Sequence, residues 1–368
     1  MFQFSIDKAA LQLPLLTVAG AVDRKQSMPI LSNILLTLNH EELILSATDL
    51  EIDVTARLKV DNANGTGQTT VPAKKFVDII RSLDDDAKPL IVVEEKQLVI
   101  RDKHSHFKLA TLPADGFPIS EQPQNLVELS LSKARLTHLL QSTYFSMSQQ
   151  DVRVFLNGML LSFDAQGTTA VATDGHRLAI CHTDETRVEI PHRIIVPRKA
   201  VLELLRLLSA IEDEKVDISA GESHFCLKTK IFSFNTKLVE SRYPPYQKAI
   251  PKQLNTFVLL DRDSLKKALN RITILAHEKT KAIVVSVQSG QLQLTANNQQ
   301  QEEAKEIVSA EVDGQPIQLG LNAAYLLDVI NHCQDGLIRL SFVDENSSLL
   351  FESLADEAYQ YIIMPMKL

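Results

Sequence analysis

Asp174 and His176 are the residues in this sequence whose types and spacing first suggest chemistry. A carboxylate that orients an imidazole can make it a general base, as in hydrolases that activate a serine. No G-x-S-x-G nucleophile elbow or comparable signature accompanies the pair. An aspartate and a histidine two residues apart are more often a structural hydrogen-bonding pair, so the pattern favours a structural role over catalysis.

The other candidate sites for chemistry are a run of three aspartates and three cysteines. Asp84–Asp86 could bind the two metal ions of a nuclease, but they lie in a predicted turn, where solvated aspartates are ordinary. Cys181, Cys226 and Cys333 have no C-x-x-C spacing, which predicts buried small side chains rather than zinc ligands or disulfides. The sequence also lacks a Gly-rich phosphate loop, so we predict no metal, no cofactor and no ATP hydrolysis.

The stretch Ala172–Leu178, ATDGHRL, is the clearest copy of a unit that occurs three times. Its counterparts are Ala47–Leu50 and the less regular Ala296–Asn298. The residue just before a second amphipathic helix recurs every 125 residues, at Pro72, Pro197 and Asn322. One period is the size of an ordinary domain, so the repeat predicts a triplicated domain rather than a short solenoid.

The apolar periodicity of each repeat predicts a helix, a strand meander, a second helix and three more strands. The predicted helices cover residues 7–22, 73–83, 132–147, 198–209, 262–277 and 323–333. Linkers rich in proline and polar residues follow the first two repeats, at 113–125 and 241–246. We therefore predict an α+β fold of three domains, with boundaries 1–125, 126–253 and 254–368.

Composition places the chain among globular proteins. Of its 368 residues 45% are hydrophobic and 23% are charged, enough for two or three cores. No apolar run reaches the roughly 18 residues that a membrane-crossing helix needs, and the first residues have no signal-peptide pattern. We expect a cytoplasmic protein with no membrane partner.

The distribution of charge bears on function. The net charge of −8 by itself argues against a nucleic-acid partner, yet the predicted helices together carry +8 and leave −16 on the other residues. These helices could be solvated faces, or they could line one surface that faces phosphates while the strands face outward. Four of the six helices share the positive charge, which favours the second interpretation. With no Trp and 5% aromatic residues, a duplex is a better partner than a single strand.

The size of one repeat limits how such a surface could enclose DNA. A compact domain of this length is roughly 35 Å across, so three domains in a ring leave a hole of only about 5 Å. Six domains leave about 35 Å, which admits a duplex roughly 20 Å wide. One chain cannot encircle DNA, but two chains joined head to tail could form a closed six-domain ring.

Several strings, in order along the whole sequence, resemble the bacterial beta sliding clamps, the processivity subunits of DNA polymerase III. They are MPILSN from Met28, TVPAKKF from Thr70, QDVR from Gln150, LNGML from Leu156, ATDGHRL from Ala172 and the final MPMKL. The resemblance implies a non-catalytic, ring-shaped homodimer of clamp domains, with helices inside and sheets outside, that encircles double-stranded DNA in replication. Its implied partners are an ATP-dependent clamp loader, the replicative polymerase alpha subunit, and other polymerases and mismatch-repair proteins that carry a short clamp-binding motif.

The alternative function is a metal-dependent nucleic-acid-processing enzyme built on triplicated domains. Such an enzyme needs a convergent cluster of carboxylates or histidines, and the sequence shows no motif for one. The sequence therefore favours the non-catalytic ring that encircles DNA over the enzyme.

The resemblance also implies three sets of site residues. The partner-peptide cleft is expected to use Leu156, Thr173, Gly175, His176, Arg177, Leu178, Pro244, Ala249, Asn322, Tyr325, Ser348, Met364, Pro365 and Met366. Ala249 stands where the family usually has a larger aliphatic residue, so a wider or shallower cleft is expected. DNA contacts are expected from Arg24 or Lys25, Lys74, Gln150, Phe155, Arg198 and Lys199. Dimer contacts are expected between Phe107 and Leu109 of one chain and Ile274 and Leu275 of the other, with ion pairs from Glu302, Glu303 and Glu306.

Overall fold

The computed structural model describes residues 1–22, 28–118, 127–334 and 336–367. Within these ranges the α-helices are α1 Lys8–Val18, α2 Ala73–Ser82, α3 Lys133–Gln141, α4 Arg198–Ala210, α5 Arg262–Ile272 and α6 Ala323–His332. The strands of the same ranges are β1 Phe2–Ser5, β2 Asn33–Asn39, β3 Glu42–Thr48, β4 Ile52–Lys59, β5 Asp61–Asn64, β6 Gly67–Pro72, β7 Leu90–Val93, β8 Gln97–Asp102, β9 Ser105–Ala110, β10 Val127–Ser132, β11 Gly158–Asp164, β12 Gly167–Thr173, β13 Arg177–Thr183, β14 His192–Pro197, β15 Lys215–Ala220, β16 His224–Lys228, β17 Phe232–Lys237, β18 Thr256–Asp261, β19 Ala282–Gln288, β20 Gln291–Asn297, β21 Glu303–Ser309, β22 Glu311–Asp313, β23 Ile317–Asn322, β24 Leu337–Phe342, β25 Leu349–Ser353 and β26 Tyr359–Ile363.

These elements form two compact units. The first unit comprises Met1–Leu136 and Lys199–Leu238, and the second comprises Thr137–Arg198 and Val239–Leu368. Strands β10 and β15 to β17 of the middle repeat belong to the first unit, and β11 to β14 belong to the second. The middle repeat therefore supplies strands to both units.

The first unit contains an eight-stranded sheet, in the order β10-β15-β16-β17-β4-β3-β2-β6, and a five-stranded sheet, in the order β5-β1-β7-β8-β9. Strands of two repeats meet in the larger sheet, where β17 pairs antiparallel with β4 and places Phe234 opposite Val54. Helices α1 and α2 pack on each other, and α1 also packs on β3 and β4. Their buried side chains, among them Leu11, Leu15 and Phe76, form the core between helices and sheet.

The second unit also contains two sheets and a pair of packed helices. Its sheets have the orders β14-β11-β12-β13-β26-β25-β24-β18-β22 and β21-β20-β19-β23. Strands of two repeats meet again where β13 pairs antiparallel with β26, with Ala179 opposite Tyr361. Helices α5 and α6 pack on each other, and α5 packs on β20 and β21. All six tyrosines of the sequence lie in this unit, at Tyr144, Tyr243, Tyr246, Tyr325, Tyr359 and Tyr361.

The starts of the second helices follow from the residue that recurs in the repeat. The Asn322 side chain caps α6, because its Oδ1 accepts hydrogen bonds from the backbone N–H groups of Ala324, at 2.9 Å, and Tyr325, at 3.4 Å. Pro72 and Pro197 stand at the same place before α2 and α4, where the ring fixes φ and no N–H is needed. The predicted starts of these three helices are confirmed.

The helix predicted over 7–22 ends as α1 at Val18, and Ala19–Ala21 form a separate 3-10 turn. Two other predicted helices also end earlier than expected. The helix predicted over 132–147 ends as α3 at Gln141, and Tyr144–Ser146 form a separate one-turn 3-10 helix. The helix predicted over 262–277 ends as α5 at Ile272. In both places a threonine hydroxyl donates to a carbonyl of the last turn, Thr143 to Leu139 at 2.7 Å and Thr273 to Leu269 at 2.9 Å, which favours a stop.

Candidate functional site

The turn between β12 and β13 contains the sequence motif singled out first. Asp174 Oδ1 accepts the backbone N–H groups of His176, at 2.9 Å, and Arg177, at 3.1 Å, while the Thr173 hydroxyl accepts that of Gly175 at 3.0 Å. Gly175 has φ +90, and a Cβ there would lie 3.2 Å from the Arg153 guanidinium, so the turn needs glycine. Asp174 holds the turn and His176 is exposed, which confirms a structural role for the aspartate.

The three aspartates Asp84–Asp86 and the three cysteines have structural roles as well, as ion-pair partners and as buried side chains. The Nζ atom of Lys103 lies 3.1 Å from Asp86 and 3.9 Å from Asp84, and that of Lys8 lies 3.0 Å from Asp85. Among the described residues, no three histidine, cysteine or acidic side chains converge as metal ligands. The side chains of the three cysteines are buried, as predicted.

Arg177 connects this turn to two other parts of the second unit. Its Nε donates to Asp174 Oδ2 at 3.1 Å, its Nη1 donates to Asp328 Oδ2 on α6, and its Nη2 donates to the Phe145 carbonyl at 2.6 Å. The guanidinium carbon lies 4.5 Å from the centre of the Tyr325 ring and 5.6 Å from that of Phe145. These charge-assisted and cation–π contacts fix the turn against α6 and the segment after α3.

An apolar cluster lies on the sheet next to this turn. Its buried members come from β11, β12, β13, β25 and β26 and are Leu160, Val171, Leu178, Leu350 and Ile362. Partly buried apolar side chains pack against them, namely Ile180, Tyr243, Tyr246, Ala249, Ile250 and Leu254. Tyr243 donates its hydroxyl to the Val171 carbonyl at 3.4 Å, and burial raises the pKa of this hydroxyl well above its usual range. The apolar cluster therefore has a half-exposed margin that can bind apolar side chains.

The last described residues run beside the apolar cluster. The Met364 amide donates to the His176 carbonyl at 2.9 Å, and the Met366 amide donates to the Gly320 carbonyl at 2.8 Å. Pro365 lies between these two anchors, and the Met364 side chain is 40% exposed. Methionine adapts to differently shaped partners, so an exposed methionine here suits a surface that binds several peptides.

The structure brings together most of the residues expected in the cleft. Thr173, Gly175, His176, Arg177 and Leu178 lie in or after one turn, and Met364 and Tyr325 contact that turn. Ala249 packs on the apolar cluster, and Ser348 lines a cavity with it. Two other expected residues have different surroundings. Leu156 is buried within the one-turn helix Val154–Asn157, and Asn322 caps α6.

Several residues of the site were missed in the sequence. Arg153 lies against Gly175, and its pairing with Asp151 lowers the pKa of that carboxyl to about 2. Asp328 holds Arg177 from α6. Val171 and Ile362 belong to the apolar cluster, and the apolar alternation of their strands was the signal that could have found them.

The residues expected to contact DNA differ in their availability. Arg24 and Lys25 lie outside the described residues, whereas Lys74 and Gln150 are exposed. Lys199 forms an ion pair with buried Asp49. The Arg198 guanidinium donates to the carbonyls of Tyr144 and Met147 at 3.2 Å, and burial lowers its pKa. The Phe155 ring lies 6.4 Å from that of Tyr243, measured between ring centres.

The residues expected at a dimer contact lie at two sheet edges and directly after α5. Phe107 and Leu109 are on β9, the last strand of the five-stranded sheet. Glu303 and Glu306 are on β21, the last strand of the four-stranded sheet, and Glu302 directly precedes it. Leu275 follows α5 together with Ile274, whose side chain is 77% exposed.

Glu306 already has a partner within its own chain. Arg271 binds it through two hydrogen bonds, of 2.7 and 2.6 Å, which lower the pKa of its carboxyl. A contribution of Glu306 to an ion pair between chains would have to share this carboxylate with Arg271.

Three family models match the chain from one end to the other. They are the N-terminal, central and C-terminal domains of the DNA polymerase III beta subunit, over residues 2–121, 130–245 and 247–367. The chain belongs to the DNA polymerase III beta subunit family. The matches confirm three repeated clamp domains per chain.

Relatives and solved structures agree with this membership. The chain is 41% identical over 366 residues to the beta sliding clamp of Pseudomonas putida, covering 99% of this chain and 100% of the relative, and 37% identical over 366 residues to that of Escherichia coli, covering 100% of both. The crystal structure of the DNA polymerase III subunit beta from Pseudomonas aeruginosa has a TM-score of 0.96, 40% identity and 100% coverage of both chains. A Pseudomonas aeruginosa sliding clamp bound to griselimycin gives the same values.

Proposed function

We propose that this protein is a sliding clamp. Two copies, joined head to tail, form a closed ring around duplex DNA, and the ring tethers the replicative polymerase during replication in the cytoplasm. The observation that carries the proposal is the end-to-end match of three clamp domains to relatives named beta sliding clamp. In this family the subunit confers processivity and is not itself catalytic, so the proposed role is topological rather than chemical.

The apolar cluster and its margin are the proposed docking site for partners. An extended peptide that carries apolar anchors can bury them against Tyr243, Ile180 and Ala249, while Arg177 and the Met364 segment border the site. The polymerase alpha subunit, the ATP-dependent clamp loader and the mismatch-repair proteins are the proposed users of this site. A Pseudomonas aeruginosa relative binds griselimycin, and we expect this chain to bind the compound at the apolar cluster.

Retention on DNA tests the ring. The protein, loaded by the clamp loader of its own organism, is applied to nicked circular DNA and to the same DNA cut once. Encirclement predicts retention on the circle and loss from the linear form, because only a free end lets a closed ring leave. Equal retention on both would indicate ordinary surface binding and would contradict the proposal.

A variant at the expected dimer contact gives the matched control. Ile274→Asp places a charge on an exposed apolar side chain, so the chain itself should fold. We expect a monomer in analytical ultracentrifugation and no retention on the circle. A control charge elsewhere on an exposed apolar residue, Ile190→Asp, should leave the dimer and retention unchanged.

A further inference from the structure

A cavity of about 510 Å³ adjoins the apolar cluster in the second unit. Residues 248–253 form one wall, residues of the loop 343–348 form another, and Met364 borders both. Ala249 and Ile250 line the cavity and also pack against the apolar cluster, so the two features are continuous. A peptide bound on the apolar cluster can therefore extend into the cavity without leaving the protein surface.

The side chains around this cavity are of one charge. Lys248 and Lys252 line it and are exposed, and its lining, all of it within the described residues, contains no acidic side chain. The remaining polar lining comes from Gln253, Asn346, Ser347 and Ser348. In a chain whose net charge is −8, this local +2 is a reversal of sign.

The acidic side chains of the neighbouring loop 343–348 do not line the cavity with the two lysines. Asp344 accepts the backbone N–H of Asn346 at 2.9 Å, and a hydrogen bond from Ser347 lowers the pKa of its carboxyl. Asp344 therefore serves its own turn, and neither it nor the exposed Glu345 lines the cavity. Lys248 and Lys252 face a space that can hold opposite charge.

Ala249 determines how a peptide reaches the two lysines. It is partly buried at the junction between the apolar cluster and the cavity, and its single methyl group leaves space for a peptide to pass from one to the other. A longer aliphatic side chain at this position would occupy part of the path between them. Ala249 therefore leaves the path open, and Lys248 and Lys252 supply positive charge at its end.

We propose that this cavity is an extension of the partner site that accepts an acidic peptide segment next to the partner's apolar anchors. The inference rests on the proposed function, because it assigns chemistry to the flank of the peptide that the apolar cluster binds. Two exposed charge pairs of this kind strengthen binding by about fivefold at low salt. The gain disappears near 1 M salt, where the Debye length is about 3 Å.

Peptide binding by fluorescence anisotropy tests the proposal. The probes are labelled peptides that contain the clamp-binding motif of the polymerase alpha subunit, extended at either end by three aspartates or by three asparagines. We expect one aspartate peptide to bind about fivefold tighter than its asparagine counterpart at low salt. Lys248→Glu with Lys252→Glu should remove this preference, and should leave the affinity for the asparagine peptide nearly unchanged.

Two controls separate the cavity from general electrostatics and from the proposed function. Lys228→Glu with Lys237→Glu makes the same change in net charge on exposed residues of the first unit and should keep the aspartate preference. Equal affinities for aspartate and asparagine peptides, with the asparagine peptide still bound, would overturn the extension and leave the partner site in place. If neither peptides nor griselimycin bound, the partner site would be wrong and the extension with it.

Discussion

The large sheets of the two units share eight strands in matching order, with β22 as an additional strand in the second unit, but one face of each has different chemistry. In the second unit, β12, β13 and β26 place Val171 opposite Ile180 and Leu178 opposite Ile362. Three of these side chains are buried in the apolar cluster, and Ile180 packs against it. This face therefore offers apolar area to a partner.

The matching pairs of the first unit are polar. In β3, β4 and β17, Ser46 lies opposite Thr55 with 3.1 Å between their hydroxyl oxygens, and Asp53 lies opposite Asn235. The Asn235 amide donates to Asp53 Oδ2 at 3.4 Å. These side chains satisfy one another and present no apolar surface to a peptide.

The difference shows that the repeat preserves strand register while the side chains on one face change from polar to apolar. Arg177 makes the same point, since the residue 125 positions before it is Ile52, a buried apolar side chain. A cation that joins the turn to a helix in the second unit has an apolar counterpart in the first. The same strand register thus carries an apolar face in the second unit and a polar face in the first.

Transferring the polar pair to the second unit should have the largest effect. Leu178→Asp with Ile362→Asn reproduces the Asp53–Asn235 pair at the matching register positions. Both side chains are already buried in the free chain, so the variant acts by making the floor of the proposed partner site polar. Binding of a clamp-motif peptide should weaken by about 3 kcal/mol, or more than a hundredfold in Kd. Isothermal titration calorimetry measures the change.

The reciprocal variant is its control. Asp53→Leu with Asn235→Ile, in the first unit, should leave peptide affinity unchanged, since the apolar cluster is untouched. Circular dichroism should show both variants folded. Retained peptide binding in Leu178→Asp with Ile362→Asn would mean that the apolar cluster is not the docking surface.

Replacing Arg177 by its first-unit counterpart should have an intermediate effect. Arg177→Ile leaves Asp174 and Asp328 without their shared cation. Removing one partner of a fully buried pair costs about 3–5 kcal/mol, but Asp328 is partly exposed, so we expect the unfolding free energy of the second unit to fall by about 2 kcal/mol. Hydrogen exchange of the β12–β13 turn and of α6 should report the loss.

The ion pair of the first unit gives a smaller change for comparison. Lys199→Ala removes an exposed ammonium from Asp49, whose carboxylate keeps the backbone N–H groups of Glu51 and Ile52. Because the Asp49 carboxylate is buried and loses its cation, a loss of about 1 kcal/mol, confined to the first unit, is expected. Equal losses from the two variants would remove the distinction drawn between Arg177 and Lys199.

Alkaline pH should destabilise the second unit more than the first. Burial raises the pKa of Cys333 from 9.0 to about 11 and also raises the pKa values of Tyr359 and Tyr361. These groups stay neutral in the folded state while the unfolded chain releases its protons, so stability falls as pH rises above 9. For Cys333 alone the loss is about 1 kcal/mol at pH 10.

Urea unfolding at pH 7 and pH 10, followed by hydrogen exchange of each unit, measures this loss. The first unit contains Cys226, whose pKa burial also raises, but no tyrosine. Cys333→Ala should reduce the pH dependence of the second unit. An equal fall in both units would contradict the expected asymmetry.

Local features of the fold could be predicted from the sequence. The 125-residue spacing predicted the three domains, and extended pairs such as Val71–Pro72 predicted where the second helices begin. The same approach placed the ends of α3 and α5 too late. Apolar spacing continues past both ends, and it does not reveal a threonine hydroxyl that bonds a carbonyl of the last turn. Periodicity predicts faces better than it predicts ends.

Long-range features could not be predicted in the same way. The pairing of β13 with β26 and of β17 with β4 joins strands of different repeats, and nothing in either strand alone specifies its partner. The availability of a cation depends on such contacts as well. Lys199 and Arg198 were expected at a DNA surface on the strength of resemblance, yet Lys199 is paired with Asp49 and Arg198 holds two carbonyls.

The placement of the tyrosines makes the second unit optically distinct. The sequence has no Trp, so the near-ultraviolet emission of the unlabelled protein comes mainly from six phenols that all belong to that unit. Tyr243 and Tyr246 lie against the apolar cluster, where a bound peptide would change their exposure to water and hence their emission. Partner binding and unfolding of the second unit can thus be followed in the unmodified protein by intrinsic tyrosine fluorescence, to which the first unit does not contribute.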